Sequence, residues 1–170
     1  MKLEDIIIID ENINLDNYLE FKKIVKENMK HPEWLGDFSK DDLISMQKTG
    51  TKIWIFYNDN DPVCSMMAIP STKKDMDSFE INLDCKDVID YGPMFVMPKY
   101  VGNKLQYQML KMLDKYSIEK GYKYAASTVH PDNIFSINNL LKDGFVKTDQ
   151  KEFERGIRNI YVKEFSREEK

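Results

Sequence analysis

The stretch Val96-Met97-Pro98-Lys99-Tyr100-Val101-Gly102-Asn103-Lys104-Leu105-Gln106 passes from an apolar strand, through a proline and a glycine, directly into an amphipathic helix. From Asn103 onward, Leu105, Met109, Met112, Leu113 and Tyr116 recur at helical spacing until Gly121 ends the run. The first amides of such a helix have no partner within it, and the helix dipole adds partial positive charge at the same end. The turn therefore reads as an anion site that fits a diphosphate, with Val101, Gly102, Asn103, Lys104, Leu105 and Gln106 as its candidate residues. The same segment also reads as an ordinary strand-to-helix connection that contains a glycine.

Working outward, Val88 to Met97 reads as the strand that feeds this turn. Gly92-Pro93 inside it cannot form an undisturbed ladder, because proline offers no amide donor, so a bulge or a splayed strand is expected. On the other side, Tyr122 to Val129 is a strand broken by Pro131. Ile134, Ile137, Leu140 and Leu141 then define a helix that stops at Gly144. Two strands joined through a helix should run parallel by a right-handed crossover, and a ligand would sit where that pair opens.

The remaining segments complete a mixed sheet. Ile6 to Ile9, closed by Asp10, Glu11 and Asn12, is a first strand, buried on both faces or lying at an edge. Asn14 can cap a helix carrying Tyr18, Phe21, Ile24, Val25 and Met29 on one face, which Pro32 limits. Ser39-Lys40-Asp41-Asp42 is a capping-box pattern for a second helix ending near Gly50. Ile53 to Tyr57 and Val63 to Ile69 flank the turn-forming Asn58-Asp59-Asn60-Asp61-Pro62, and Ser71 to Asp84 is expected to be partly helical. Phe145 to Phe153 and Ile157 to Phe165 form a final hairpin, the latter expected as an edge strand able to pair across a dimer axis. The fold class is α/β: a mixed sheet of about six or seven strands, helices on both faces, and a splayed parallel pair in the middle.

The chain has 170 residues, enough for one domain spanning 1–170 and too few for two typical ones. Hydrophobic residues at 42% and charged residues at 32% support a packed core under a solvated surface. A net charge of −4 gives no positive field for nucleic acid or anionic lipid and would tolerate an amine. Cys64 and Cys85 lack metal-ligand spacing, so neither a zinc site nor a disulfide framework is expected. No signal peptide or membrane span is legible, and a cytoplasmic protein, monomer or homodimer, is expected. The ten methionines read as adaptable core filling, and Lys73-Lys74 and Arg167-Glu168-Glu169-Lys170 as solvated faces and ends.

Val96, Pro98, Tyr100 and Gly102 match the signature Val-x-Pro-x-Tyr-Arg-Gly-x-Gly-x-Gly or Ala, and over residues 50 to 165 the chain resembles the GNAT acetyltransferases. Val101, Lys104 and Gln106 depart from that signature. A second stretch agrees: Val129-His130-Pro131-Asp132-Asn133, then Ser136, Ile137 and Gly144-Phe145, is similar to the family's Val-Asn-Pro-Glu-Asn-x-x-Ala-Ile followed by Gly-Phe. The resemblance implies acetyl-CoA as cosubstrate and transfer of its acetyl group to a small-molecule or protein amine. It implies that Asn133, with Ser136, meets the pantetheine arm, and that a backbone amide near Phe95 or Val96 polarises the thioester. It also implies that Trp34 and Phe38 lie by the acceptor.

A carboxylate base sits in this strand in some relatives, and counting back from the loop selects Asp90, with Tyr91 as the neighbouring alternative. Asp90 also reads as a solvent-facing acid, Asn133 as a helix cap, and His130 as a structural or solvent-facing residue. Where many relatives carry a tyrosine that protonates the leaving thiolate, this chain has Leu140. An acetyltransferase and a catalytically weak acyl-CoA-binding module both remain open on these grounds.

Overall fold

The computed structural model describes residues 1–9 and 13–166. Asp10, Glu11, Asn12 and the run Arg167 to Lys170 lie outside the described residues. In chain order the elements are β1 Ile7–Ile9, α1 Leu15–Glu27, α2 Lys40–Lys48, β2 Lys52–Asn58, β3 Asp61–Pro70 and α3 Lys73–Phe79. They continue as β4 Val88–Tyr91, β5 Phe95–Val96, α4 Leu105–Glu119, β6 Tyr124–Val129, α5 Ile134–Lys142, β7 Val146–Phe153 and β8 Gly156–Glu164.

The strands form one mixed sheet in the order β1-β2-β3-β4-β6-β8-β7, with β5 pairing β3 off this path. Period-two alternation sorts its faces. Trp54, Phe56, Cys64, Met66, Ile89 and Tyr91 pack with Leu105, Met109 and Leu113 of α4. Ile53, Ile55 and Met67 pack instead with Tyr18, Phe21 and Val25 of α1 and Leu43 of α2. Helices thus cover both faces, as the pattern predicts.

Local signals set most boundaries. Asn14 caps α1 by accepting from the Asn17 amide at 3.1 Å, and Ser39 and Asp42 form the expected capping box of α2. A second such box, Thr72 with Asp75, starts α3 inside the segment expected to be partly helical. Ile7–Ile9 pairs only β2 and is exposed along its length, so it lies at an edge.

One expectation is corrected. Ile157 to Phe165 is not an edge strand: β8 lies between β6 and β7, because β7 folds back outside it and takes the rim. Within Val88 to Met97 the disturbance expected at Gly92-Pro93 divides the strand into two short ones. Tyr91 pairs Ala68 and Phe95 pairs Ser65, so four steps on this segment oppose three on β3. The extra residue falls within Gly92-Pro93-Met94, where proline cannot donate. Gly92 keeps hold of β3 through a 3.0 Å bond from its amide to the Met67 carbonyl.

This bulge opens the sheet. β4 runs parallel to β6 only through Val88↔Tyr124, Ile89↔Ala125 and Asp90↔Ala126. Beyond it β5 follows β3 while β6 follows β8, so Ser127, Thr128 and Val129 have no strand partner on the β4 side.

Candidate functional site

A cavity of about 360 Å³ occupies that opening. Asp90, Tyr91, Phe95, Val96, Val101, Gly102, Lys104, Leu105, Gln106, Asn133, Ser136, Trp34 and Phe38 all line it, though they come from four separated segments of chain. Asn103 does not. Its side chain turns back to donate to the Tyr100 carbonyl at 2.8 Å, which braces the turn.

At one end of the cavity, Pro98–Tyr100 forms a tight turn and the chain enters α4 through Gly102 at φ 98° and Lys104 at φ 57°. Lys104, where the family signature has a glycine, holds the left-handed conformation that a glycine adopts freely. The first α4 bond runs from the Gln108 amide to the Lys104 carbonyl at 3.1 Å. Among the described residues no protein acceptor takes the amides of Gly102, Asn103, Lys104, Leu105 or Gln106. A Cβ on Gly102 would meet nothing within 4 Å, so this backbone borders open space. Donors without acceptors, a helix dipole and room for close approach fit a pyrophosphate.

The Gln106 side chain is spent elsewhere. Its Nε2 donates to Ser136 Oγ at 3.0 Å, and its Oε1 accepts from Asn139 Nδ2 at 3.0 Å, tying α4 to α5 across the cavity. Asn133 caps α5, accepting from the Ser136 amide at 3.3 Å. Its cap role and its place on the cavity wall coexist. Asn133→Ala is expected to lower stability by about 1 kcal/mol, the usual worth of a cap, as read by denaturant unfolding. An unchanged midpoint would show that the long cap bond contributes nothing.

In the middle of the cavity the broken strand turns polar groups inward. Met97 donates its amide to the Val63 carbonyl at 2.8 Å, and antiparallel bonding alternates, so Phe95 faces β3 and the Val96 amide faces the gap. The Phe95 ring is core, 5.7 Å from Tyr18 and 5.1 Å from Phe21 between centroids.

Asp90 and Tyr91 point to opposite faces. Tyr91 donates its hydroxyl to Asp114 Oδ1 at 2.6 Å and lies 3.2 Å from Ser117 Oγ, within a buried network completed by Lys163 at 2.9 Å from Asp114. Burial and Asp114 together hold the Tyr91 hydroxyl well above the usual phenol range. Asp90 opens on the α1–α2 side. Burial pushes its carboxyl up to about 7, the charge of Asp75 adds to the rise, and Arg155 opposes it. A carboxylate with that affinity for protons can take one from an amine near neutrality.

The far wall joins Leu35, which neighbours Trp34 and Phe38 in the region that the resemblance places by the acceptor, to residues given no site role from the sequence. Val25, Met29, Leu35 and Ile69 supply apolar surface, and Thr128 and Arg155 the polar rim. Trp34 is held by ring stacking with His31 at 4.3 Å and His130 at 5.1 Å, which joins the α1–α2 connection to the β6–α5 loop. His130 is thus a packing residue, and its Nδ1 accepts from the Asp132 amide at 3.1 Å. Leu140 is buried and also lines the cavity, so no hydroxyl stands at that position. Among the described residues, no group of acidic, histidine and cysteine side chains could hold a metal ion, and no helix is long and apolar enough to cross a membrane.

No protein-family model matches the sequence, and no curated protein matches it. Solved structures do match in shape. The aminoglycoside acetyltransferase AAC(6')-Ib, in complex with paromomycin and acetyl-CoA, superposes with a TM-score of 0.70 at 13% identity, covering 95% of this chain and 94% of its own. A GNAT family acetyltransferase from Elizabethkingia anophelis with acetyl-CoA bound gives a TM-score of 0.66 at 15% identity, covering 95% and 99%. A ribosomal-protein-alanine N-acetyltransferase from Escherichia coli gives 0.67 at 13%, covering 95% and 94%. The bulged strand, the parallel pair it splays and the helix that begins beside the opening therefore belong to a known architecture: this chain has the fold of the GNAT acetyltransferases.

Proposed function

We propose that the protein is an acetyl-CoA-dependent N-acetyltransferase that moves an acetyl group directly to a primary amine. The observation that carries this reading is the convergence, in one cavity, of the free amides at the start of α4 with the Asp90 carboxyl at the strand break. Solved structures of the same fold hold acetyl-CoA, and one also holds an aminoglycoside, which supports the cosubstrate and the amine class of acceptor.

The activated thioester supplies the acetyl group; the chain supplies position, charge and a proton acceptor. The amides from Gly102 to Gln106 bind the pyrophosphate, and Asn133 and Ser136 border the pantetheine arm. The Val96 amide donates to the thioester oxygen as charge develops on it, a contribution of about 3 kcal/mol when such a donor is preorganised. Asp90 takes the amine proton, directly or through water, so that the nitrogen lone pair can attack. The N–C bond forms, the C–S bond breaks, the second nitrogen proton passes to water, and the coenzyme A thiolate takes its proton from water. Leu140 cannot supply that proton, and a free thiol with pKa of about 8.5 does not require an assigned acid near neutrality.

Leu140 also favours a second reading, an acyl-CoA-binding module with little catalysis. An amine library assayed for thiol release from acetyl-CoA separates the two. Release above background with at least one primary amine is expected. Tight coenzyme A binding with no release for any amine would leave only the binding module.

A further inference from the structure

Among the described residues three charged side chains line the cavity, and of these only Lys104 stands at the α4 end. The other two, Asp90 and Arg155, face the acceptor region. Each shifts the other's titration, so their charges are in communication, yet no ion pair joins them. Arg155 sits in the turn between β7 and β8, exposed at the cavity mouth, and its Nη2 donates to Thr128 Oγ1 at 2.6 Å. Its Nη1 comes within 3.0 Å of where a Cβ on Gly36 would stand, so a glycine in the facing loop admits it.

Neighbouring cations are already engaged. Arg158 donates to the carbonyls of Ile157 and Glu33 at 2.7 and 2.8 Å. Lys22 is bound to the Gly36 carbonyl and pairs with Asp37 at 3.3 Å. Among the described residues Arg155 alone brings a guanidinium to this cavity with no carboxylate paired to it. The same cavity has apolar surface from Val25, Met29, Trp34, Leu35, Phe38 and Ile69.

A guanidinium fork pairs with a carboxylate, an isolated carboxylate accepts from an amine, and apolar rings accept neither. A multiply charged amine would meet one carboxylate opposed by a cation, and a simple alkylamine would leave Arg155 unpaired. We propose that the acceptor is a free amino acid with an apolar side chain. Its carboxylate pairs with Arg155, its amine is delivered to Asp90, and its side chain lies against Trp34 and Phe38. This rests on the N-acetyltransferase reading and names the substrate class of the same site. One ammonium proton passes to Asp90 and the second to water as the N–C bond replaces the thioester C–S bond; the thiolate is protonated from water, so no further reactant is needed.

The test compares acetyl-CoA thiol release with L-phenylalanine, L-leucine and L-methionine against their primary amides, phenethylamine and paromomycin. The amino acids are expected to exceed the matching amides by about tenfold or more in kcat/KM, the worth of one charge-assisted pair. In Arg155→Gln that ratio should collapse to within about threefold, while Arg155→Lys keeps part of it. Calorimetry supplies a readout that needs no turnover: N-acetyl-L-phenylalanine should bind the protein more tightly than its amide, and Arg155→Gln should erase the difference. Amides, phenethylamine or paromomycin used as well as the amino acids would overturn this inference and leave acetyl transfer standing. Equal weakening of acid and amide by Arg155→Gln would overturn it too. Absence of both release and product binding for every compound, with coenzyme A still bound, would overturn it along with the catalytic reading.

Discussion

Asp90→Asn is expected to reduce acetyl transfer by about a hundred- to ten-thousandfold in kcat/KM and, at the same time, to make the protein more stable at pH 8. The activity loss follows from removing the proton acceptor. In the wild type the carboxyl titrates at about 7, so kcat/KM should climb through that value as Asp90 ionises, and the climb should vanish in the variant.

The stability gain follows from linkage. The folded pKa lies above the ordinary value of 3.8, so between those two values the native state keeps a proton that the unfolded chain has released. Stability from this group is therefore greatest below about pH 4, falls as pH rises, and is fully lost above about 7. Asparagine carries no charge to desolvate, which removes that cost at pH 8 and changes little at pH 4. The carboxyl opens on a cavity that admits water, so the gain at pH 8 should be about 2 kcal/mol rather than the full linkage value. Calorimetric melting at both pH values, with thiol release on the best amine acceptor, checks both halves. Undiminished transfer would remove the base assignment; an equal stability change at the two pH values would remove the raised pKa.

Gly102→Val is expected to weaken coenzyme A binding by about a hundredfold or more while costing the fold only about 1–2 kcal/mol. The two effects have different sources. At φ 98° any side chain is strained, which sets the stability cost. A Cβ at this position meets no protein atom within 4 Å, so the added bulk projects into the space beside the free amides instead of into the core. A diphosphate must approach that backbone closely, and a branched side chain there holds it off. Calorimetric titration with coenzyme A, paired with denaturant unfolding, separates affinity from stability. Undiminished affinity in a folded variant would show that the loop does not hold the phosphates.

Much of the fold was legible in the chain because its signals are local. Leu105, Met109, Met112, Leu113 and Tyr116 specify the face of α4 whatever it packs against, and Ser39 with Asp42 starts α2 by hydrogen bonds spanning three residues. Gly92-Pro93 marked the strand break, since a residue without an amide donor cannot be neutral within a ladder. The candidate site was legible wherever backbone geometry carries it, as at Gly102, or a motif does, as at Asn133.

What stayed hidden is set by contacts distant in sequence. Period two puts Asp90 and Tyr91 on opposite faces, but which side chain turns toward α1 and α2 and which meets Asp114 depends on where α4 packs, 23 residues on. The rank of β8 inside the sheet depended on β7 folding outside it, which no property of Ile157 to Phe165 encodes. Arg155 carried no motif because a turn residue becomes a site residue only through what lies opposite it, here Gly36 and Thr128. Local hydrogen bonding and periodicity determined the elements and the turn into α4 from sequence alone. Tertiary packing decided which strand lies outermost, which carboxyl is desolvated and which cation lines the cavity, because burial and charge proximity are properties of neighbours in space.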